Sequence, residues 1–397
     1  MTWALVVGDS RAVTAAAFRE PGVRRGRRQL ATAARALLAG ITRGRSLEPV
    51  VSIDGPVLAA LLRDAGARDA RALELKAGRP PWTSTGLRAE AGEEVIWMVR
   101  GRASLGVTRF DAPATFGLRI GDGPIQSMPA ESGAVVAGTG GEVRVSNLFP
   151  GEPLEDGSVA LDRTPFWLVR GTWTVVVAAW PDGLDVADAL LAVQARDATG
   201  LCEAELGRRA APLDPPDGWD LHPRLPRSYV HHRCDEGMCT ELDRTFGIVR
   251  TPVDVPVTDT LRLRWTWRVD TLPSELPEDT LLTHDYVSVA LEFDDGNDMT
   301  WQWSAALPVG FTYTCPLDHW RRREFHIVAR SGTDDLGRWV DDERPVLADH
   351  RVAIGGPAPV RIVRAWLIGV AVFQGGVGRA TYRSLELVDG DDVTTVI

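Results

Sequence analysis

Histidines, cysteines and carboxylates are concentrated in three stretches of the chain, and each stretch suggests a different chemistry. The first is HHRCDEGMC, which places His231, Cys234 and Cys239 within nine residues. Imidazole nitrogens and thiolates are ligands that zinc prefers, so a zinc site is one hypothesis for this stretch. A closed zinc site usually joins two pairs of ligands, and no second pair is visible here. A hairpin with packed or surface cysteines is therefore the favoured interpretation.

The second stretch is an acidic loop, VSNLFPGEPLEDGSVAL, which lies between two predicted strands. Its carboxylates supply hard oxygen ligands of the kind that calcium prefers. A ligand site at this loop is one hypothesis. Calcium, held through Glu155 and Asp156, is one candidate cofactor, and the sequence leaves the cofactor unknown. An acidic surface loop without a ligand is the alternative. The residues expected to bind the ligand are Asn147, Glu152, Glu155 and Asp156.

The third stretch, HDYVSVALEF, carries His284 at its start and Glu292 near its end. An imidazole and a carboxylate could act as base and acid, so a hydrolase or lyase acting on a glycan-like substrate is one hypothesis. Adjacent residues of a strand point to opposite faces, so His284 and Asp285 cannot serve one substrate together unless the strand bends. Binding without chemistry is the leading hypothesis. Its predicted ligand-binding residues in this half of the chain are Arg264, Glu292, Gln302 and Trp303.

The segment from Leu261 to Leu307 has the pattern of a β-meander that would position these side chains. LRLRWTWRV alternates apolar and polar residues, as a half-buried strand does. HDYVSVALEF and MTWQWSAAL follow, separated by the turn DDGND, so we expect three consecutive antiparallel strands. Their polar face suits a sugar or another polar ligand, and a solvated outer face is the alternative.

Two later stretches complete the predicted second sandwich. RIVRAWLIGVAVFQ is almost continuously apolar in its centre, which predicts a central strand buried on both faces. DDERPVLADHRVAIGG has acidic residues at its start and glycines at its end, which predicts a short helix.

The first half of the chain divides into helical and β-rich parts. Apolar residues recur at helical spacing between Leu30 and Ile41, and Asp54 is the expected N-cap of a second helix. Short strands separated by glycine-rich turns then predict a sandwich or jelly roll. LDVADALLAVQARDATGLCEAEL predicts one helix with Asp185 as its cap, and APLDPPDGW predicts a linker.

We therefore expect a mainly β protein with two β-sandwich or jelly-roll domains, a helical or small α/β segment before them and a helical bridge between them. The lead-in spans residues 1–76 and the first sandwich spans 77–183. The bridge and linker span 184–218, and the second sandwich spans 219–397.

Both sandwiches resemble known bacterial families. The motifs LRWTWRVDTLPSELPEDTLLTHDY, WSAALPVG and RIVRAWLIGVAVFQ resemble an uncharacterised bacterial family of unknown function, over about residues 219–390. The motifs WTSTGLRAEAGEEVIWMVRG, LRIGDGPI and GTWTVVV resemble the small bacterial calcium-dependent galactose-binding lectins. That resemblance implies calcium and a sugar at the loop of residues 147–157. This chain departs from the lectin pattern, because Leu148 stands where an acidic residue is expected.

Composition excludes some classes of partner and favours others. The net charge of -10 and the pI near 5.3 argue against nucleic acid. The sequence contains no run of 18 apolar residues that would predict a membrane span, and no secretory signal is visible. We therefore expect a cytoplasmic protein with reduced thiols. The chain has 14 Trp against 4 Tyr, and Trp either packs on sugar rings or fills sandwich cores.

The leading functional hypothesis is binding of a carbohydrate or a related small polar ligand. The alternatives are the hydrolase or lyase and a scaffold protein. Docking of the N-terminal helices on the next domain and an oligomer contact through them are both left open.

Overall fold

A computed structural model gives the structure of the chain. It describes residues 16–20, 22–46, 50–127, 131–149, 151–154, 158–160, 166–210, 215–221, 230–318 and 320–397. The fold is mostly β, as the sequence predicts, and consists of two packed sandwiches with helices on the first. No helix among these residues is long and apolar enough to cross a membrane.

Six α-helices are present in the described part of the chain. α1 lies against the second sandwich, α2, α4 and α5 pack on the first, and α3 and α6 are short connections. The bounds are α1 (Gly22–Ser46), α2 (Gly55–Asp64), α3 (Ala112–Thr115), α4 (Val186–Gln194), α5 (Leu201–Ala210) and α6 (Val346–Ala353).

The first sandwich pairs a five-stranded sheet with a four-stranded sheet, and a small hairpin lies beside them. The five-stranded sheet has the order β1-β11-β3-β4, with β7 beside β3, and the four-stranded sheet has the order β2-β8-β5-β6. The strands are β1 (Asp69–Lys76), β2 (Thr83–Ala89), β3 (Glu94–Leu105), β4 (Thr108–Asp111), β5 (Phe116–Ile120), β6 (Gln126–Ser127), β7 (Ser132–Val136), β8 (Gly141–Asn147), β9 (Glu152–Pro153), β10 (Val159–Ala160) and β11 (Val169–Trp180).

The second sandwich pairs a seven-stranded sheet with a six-stranded sheet. The seven-stranded order is β12-β15-β22-β17-β18-β20-β19, and the six-stranded sheet runs β13-β14-β23-β16-β21 with β24 beside β23. The strands are β12 (Asp220–Leu221), β13 (His231–Cys234), β14 (Gly237–Asp243), β15 (Phe246–Pro256), β16 (Arg262–Thr271), β17 (Tyr286–Phe293), β18 (Asp298–Ser304), β19 (Thr312–Thr314), β20 (Glu324–Ser331), β21 (Val340–Pro345), β22 (Arg361–Val370), β23 (Val377–Asp389) and β24 (Asp392–Thr395).

Strand β11 is buried on both faces, which explains its nearly continuous apolar sequence. Trp173, Val175 and Val177 point into the core between the two sheets. Val176 and Trp180 point to the opposite face, where α2, α4 and α5 cover them. The helices are therefore part of the first domain and stabilise it by removing a second apolar surface from water.

The local signals for two helix starts are confirmed. Asp54 caps α2 by accepting a hydrogen bond from the backbone N–H of Val57 at 3.1 Å. Asp185 caps α4 by accepting one from the N–H of Asp188 at 3.0 Å. The helix predicted after Asp185 is interrupted, because a turn around Gly200 separates α4 from α5.

Strand β1 lies inside the segment predicted as a lead-in, but it pairs with β11 along its whole length. The first sandwich therefore begins before residue 77. This pairing was missed because DARALELK has a mixed burial pattern without strict alternation.

The predicted meander is wrong in its topology. β16 belongs to the six-stranded sheet, whereas β17 and β18 form a hairpin in the seven-stranded sheet. The connection before His284 crosses from one sheet to the other, so the alternating pattern predicted each strand but not its partner. Within β16 the alternation is confirmed, with Trp265 and Trp267 buried and Arg264 exposed.

The helix predicted from Asp341 is also wrong in its first half. Residues Val340–Pro345 form β21, and only Val346–Ala353 are helical. Asp342 and Arg344 point inward and are satisfied there. Asp342 accepts hydrogen bonds from Trp267 and Arg330, each at 2.8 Å, and Arg344 donates twice to Asp349 at 2.7 Å. Buried charges that are fully paired permit a strand that looks polar in the sequence.

The seven-stranded sheet is buried on both faces, as RIVRAWLIGVAVFQ predicts. One face packs on the six-stranded sheet through Leu367 and Ala365 of β22. The other face, with Ile368 and Trp366, joins the core of the first sandwich. The two sandwiches are thus in direct apolar contact, and Phe149 of the first meets Phe373 of the second with ring centroids 5.9 Å apart.

Candidate functional site

A cavity of about 770 Å³ lies where the two sandwiches and helix α1 meet. Its volume is in the range of small-molecule sites, which are usually concave and mainly apolar. The apolar walls come from three parts of the chain. They are Leu30 and Ala33 of α1, Leu105, Ala114, Leu148 and Phe149 of the first sandwich, and Phe246, Ile248, Leu281, Leu317, Trp320, Ile368, Val370, Val372 and Phe373 of the second.

One end of the cavity is polar. His284, Tyr286 and Glu324 line it there, from two residues before β17, the first residue of β17 and the first residue of β20. The Tyr286 hydroxyl donates a hydrogen bond to Glu324 Oε1 at 3.0 Å. Burial and the neighbouring Glu324 carboxylate raise the pKa of Tyr286 well above its usual range, so the phenol stays a neutral donor.

Behind this polar end, four side chains form what we call the buried His/Cys/Glu cluster: His284, Cys315, Glu324 and His326. One imidazole, thiol or carboxylate atom of each lies within 4.8 Å of the others. Glu324 and His326 are two residues apart on β20, so they point to the same face. The other two reach this face from the loops that precede β17 and follow β19.

Both imidazole rings of this cluster are oriented by oxygens behind them. His284 Nδ1 donates to the carbonyl oxygen of Glu278 at 2.9 Å, and His326 Nδ1 donates to Gln302 Oε1 at 3.1 Å. Gln302 in turn accepts from the Tyr313 hydroxyl at 2.7 Å. Each ring therefore carries its proton on Nδ1 and turns the lone pair of Nε2 toward the cluster.

The electrostatics of the cluster follow from its burial. Burial, followed by the neighbouring His326, lowers the pKa of His284 to about 3, so its ring is neutral at neutral pH. Burial and the Glu324 carboxylate raise the pKa of the Cys315 thiol well above its usual range. The thiol is therefore protonated, unlike the thiolate of a catalytic cysteine.

Glu278 supports the cluster from outside the cavity. Ser304 donates its hydroxyl to Glu278 Oε2 at 2.5 Å, and the N–H of Ala305 donates to Oε1 at 2.6 Å. Burial nevertheless raises the pKa of Glu278 to about 8. Its backbone carbonyl is the group that orients His284, so one residue ties the loop before β17 to the end of β18.

Helix α1 forms one wall of the cavity and is fastened to the second sandwich. Arg28 donates to both carboxylate oxygens of Asp279, at 2.7 and 2.8 Å, and its guanidinium lies 5.0 Å from the centroid of the Phe311 ring. Gln29 donates to the backbone carbonyl of Asp279 at 3.0 Å. Leu30, which lines the cavity, is 75% exposed, so the cavity opens to solvent beside this helix.

The acidic loop expected to bind calcium only partly falls on described residues. Glu155 and Asp156 lie outside them, and of Glu152 only the backbone is described, in β9. Asn147 is buried and has a local structural role, because its side chain bonds to the backbone of Ala77 and Phe149. The start of the loop does reach the cavity, through Leu148 and Phe149 rather than through Asn147.

The four residues expected to bind a ligand on the second sandwich do not come together. Arg264 is on the outer face of the six-stranded sheet and pairs with Glu343 at 2.6 Å. Glu292 pairs with Arg364 at 3.0 Å. Gln302 is fully buried behind the cluster, and Trp303 points from the opposite face of β18 into the sandwich core.

The proposed catalytic pair is wrong for a geometric reason. Tyr286, two residues after His284, and Glu292 lie near opposite ends of β17. Six residues of strand separate them by about 20 Å, so His284 and Glu292 cannot act on one substrate. Asp285 faces away from the cavity end and accepts the backbone N–H of Phe373 at 2.9 Å. His284 itself is at the site, but its neighbours there are Cys315 and Glu324.

The hairpin favoured for HHRCDEGMC is confirmed, and the zinc alternative is wrong. Cys234 and Cys239 form a disulfide across the β13–β14 hairpin, which removes both thiolates and contradicts the expectation of reduced thiols throughout. Both ring nitrogens of His231 are occupied, with Thr240 Oγ1 at 2.8 Å and the carbonyl of Gly247 at 3.1 Å.

A second, open groove crosses the four-stranded sheet of the first sandwich. Its lining is polar, with Arg88, Asp122, Glu142 and Arg144 among glycines, and no aromatic ring lines it. The tryptophans of both sandwiches are mainly core residues, since Trp97, Trp173, Trp265 and Trp301 are almost fully buried.

Two solved structures that align with this chain are distant from it. The N-terminal domain of EclA, described as a PllA-like lectin, aligns with 28% of this chain and 95% of its own, with 13% identity and a TM-score of 0.22. A DUF861 protein from Pseudomonas syringae pv. tomato aligns over 80% and 82%, with 10% identity and a TM-score of 0.10. These TM-scores are too low for either alignment to bear on the fold or ligand of this chain.

The family comparison is more specific and covers part of the chain. No curated protein matches the sequence. Residues 228–386 match the family model DUF3047, whose members are described as proteins of unknown function. This range contains most of the second sandwich and all four residues of the buried His/Cys/Glu cluster. The C-terminal half of the chain is thus similar to a family of unknown function, as its sequence motifs predict.

Proposed function

We propose that this protein binds a small organic molecule, with an apolar body and one polar group, in the cavity between the two sandwiches. The observation that carries the proposal is the lining of this 770 Å³ cavity, which is mainly apolar and carries His284, Tyr286 and Glu324 together at one end. The charged residues Asp279, Asp318 and Arg321 also line it. Sites of this shape take up the apolar part of a ligand by the hydrophobic effect and orient it through a few polar contacts.

Because this lining is mainly apolar, a sugar is not the favoured ligand of the cavity. A polyhydroxylated ligand would lose hydrogen bonds to water and would meet mainly carbon atoms here, which costs free energy for every unpaired hydroxyl. Carbohydrate binding, predicted from the sequence, is the second candidate, and the polar open groove of the first sandwich is the place that would suit it. That groove has no aromatic ring on which a sugar could stack.

The test uses anilinonaphthalene sulfonate, a probe with an apolar body and one anionic group whose fluorescence rises in apolar surroundings. Gly26 is the position for a blocking variant, because it lies on α1 at the cavity and a Cβ there would meet no atom within 4 Å. Gly26→Phe should fill space near the opening without a clash. Gly207→Phe on α5 is the matched control, since it is also a helical glycine with open space around it, away from the cavity.

We expect the wild-type protein to bind the probe at one saturable site, and Gly26→Phe to weaken it by about tenfold or more, while Gly207→Phe leaves it unchanged. Equal binding by all three proteins would remove the cavity as the site. A parallel thermal-shift series with mono- and oligosaccharides tests the second candidate. Stabilisation by a sugar that is lost in Arg144→Ala, but kept in Gly26→Phe, would move the ligand to the open groove.

A further inference from the structure

We propose that the buried His/Cys/Glu cluster binds one divalent transition-metal ion, with zinc the best match. The four residues are His284, Cys315, Glu324 and His326, and none is more than 3% exposed. This inference goes beyond the proposed ligand cavity and does not depend on it. The argument rests on ligand geometry, on the groups that orient the ligands, and on charge.

The distances within the cluster match the edges of a tetrahedral site. Zinc binds nitrogen at about 2.0–2.1 Å and sulfur at about 2.3 Å, so neighbouring ligand atoms in a tetrahedron lie about 3.3–3.6 Å apart. Cys315 Sγ is 3.4 Å from His284 Nε2, and Glu324 Oε1 is 3.4 Å from His326 Nε2. The widest separation within the cluster is below 4.8 Å, which small side-chain rotations would close.

The imidazole rings are oriented as they are in metal centres. A metal-binding histidine usually donates its other N–H to a carbonyl or carboxylate, which fixes the tautomer and the direction of the ring. His284 does this with the Glu278 carbonyl, and His326 does it with Gln302 Oε1. Gln302 is itself held by Tyr313, so the oxygen behind His326 is fixed as well.

One of the donor atoms is a buried polar atom without a hydrogen bond. The ring of His326 is completely buried, and its Nε2 atom has no hydrogen-bond partner. Buried ring nitrogens are normally satisfied, so an unsatisfied one that points into a group of thiol, carboxylate and imidazole indicates a missing partner. A metal ion at the centre would accept this lone pair and the lone pair of His284 Nε2 together.

The charges of the ligands favour a divalent ion in a buried position. Binding would release the thiol proton of Cys315 to solvent, which leaves one thiolate, one carboxylate and two neutral imidazoles. These two negative charges neutralise a divalent cation, so the occupied site would carry no net charge in surroundings where isolated charges are costly.

The ligand types select among metals. One sulfur and two imidazoles disfavour calcium and magnesium, which take oxygen ligands, and suit zinc or a neighbouring transition metal. Because His284 and Glu324 also line the cavity, an ion bound here would lie at its polar end. A cavity ligand with an anionic or carbonyl group would then have a positive partner.

The experiment measures metal content directly, on full-length protein purified under reducing conditions from cells supplied with zinc. Mass-spectrometric elemental analysis should find one zinc ion per chain in the wild type, and less than about a tenth of that in Cys315→Ala and His326→Gln. Cys202→Ala is the matched control, because Cys202 is the other free buried cysteine and lies on α5. It should keep the full amount.

Cobalt substitution provides a second readout that does not need a well-behaved variant. Wild-type protein stripped of metal and loaded with cobalt should show the thiolate-to-cobalt charge-transfer absorption of a tetrahedral site, and Cys202→Ala should show it too. The proposal is overturned if the wild type takes up neither zinc nor cobalt after reconstitution. It is equally overturned if Cys315→Ala keeps both the metal and the charge-transfer band. Probe binding in the cavity is measured separately, so failure of the metal site leaves the proposed function standing.

Discussion

Two groups of histidine and cysteine side chains lie in the second sandwich, and they differ in what their polar atoms contact. The hairpin group, His231, Cys234 and Cys239, is compact in the sequence. Its sulfurs are joined to each other, and both nitrogens of its histidine are hydrogen-bonded. The buried His/Cys/Glu cluster is drawn from three separate parts of the chain, and each of its histidines turns one lone pair toward the other members.

The difference separates a structural group from a site. A histidine with both ring nitrogens bonded to protein has no capacity left for a ligand, whereas one with a single oriented N–H still offers a lone pair. In the hairpin the polar atoms stabilise the fold itself. In the cluster they remain directed at a common point next to a cavity. Each prediction below would break or sharpen this contrast.

Metal removal should have the largest effect. If zinc binds only the folded protein, an excess of about a thousandfold over the dissociation constant raises the free energy of unfolding by about 4 kcal/mol. Addition of a chelator should therefore lower the melting temperature of the wild-type protein and leave that of Cys315→Ala unchanged. Calorimetry with and without the chelator measures this. If the chelator changed the melting temperatures of both proteins equally, the cluster would not be the metal site that distinguishes it from the hairpin group.

Acidification should lower the stability of the fold through protonation of the hairpin histidine, His231. Burial lowers the pKa of His231 from 6.5 to about 4. Between these pH values the unfolded chain binds a proton that the folded chain does not, so this contribution is present above pH 6.5 and is lost as the pH falls. The loss is about 1.4 kcal/mol per pH unit and about 3 kcal/mol in total.

Urea unfolding between pH 4 and 7 tests that expectation against His231→Gln. The variant should lose stability at every pH because it disturbs the hydrogen bonds of Thr240 and Gly247. Its free energy of unfolding should also fall less steeply with decreasing pH, because the proton that His231 binds on unfolding is no longer involved. An identical slope would show that the imidazole is not held neutral in the hairpin.

Removal of the disulfide should have a moderate effect confined to stability. The bond closes a short loop, since Cys234 and Cys239 are five positions apart. Loop-closure entropy for so short a loop corresponds to about 2 kcal/mol. The double variant Cys234→Ser/Cys239→Ser should lose this much in denaturant unfolding and keep its full metal content. Loss of metal together with the disulfide would mean that the two groups are coupled.

The smallest effect is expected at Arg264, a residue that the sequence suggested for ligand binding. It is half-exposed and pairs with an equally exposed Glu343. Exposed ion pairs contribute about 0–1 kcal/mol, so Arg264→Ala should change stability by less than about 0.5 kcal/mol. Probe binding in the cavity should be unchanged. If Arg264→Ala bound the probe more weakly, the outer face of the six-stranded sheet would again be a candidate ligand site.

The sequence predicts most strands of the second sandwich, because alternation and apolar runs report directly on burial. LRLRWTWRV and RIVRAWLIGVAVFQ became β16 and β22 with the expected faces. The strand β21 was missed because its inward residues, Asp342 and Arg344, are charged and their partners are remote in the sequence. The alternation of side chains along a strand does not determine which sheet the strand joins. For this reason the predicted meander was wrong.

The site was less accessible from the sequence than the fold. The interdomain cavity depends on how two sandwiches and α1 pack, and no local pattern encodes that. His284 was singled out, but with a partner at the far end of its strand. The usable signal was EFHIVARS, which places Glu324 and His326 two positions apart on one face of a strand. Cys315 joins them only through the pairing of β19 with β20.

The pairing of β14 with β23 and of β15 with β22 has a consequence for biosynthesis. Met238 lies opposite Tyr382 and Phe246 opposite Val370, so early strands of the second sandwich depend on partners that leave the ribosome much later. The first sandwich is complete in sequence once β11 has emerged. In the second, β14, β15, β16 and β17 each lack one neighbouring strand until residues 361–389 have been made. This lengthens the period in which the nascent chain can aggregate or recruit chaperones.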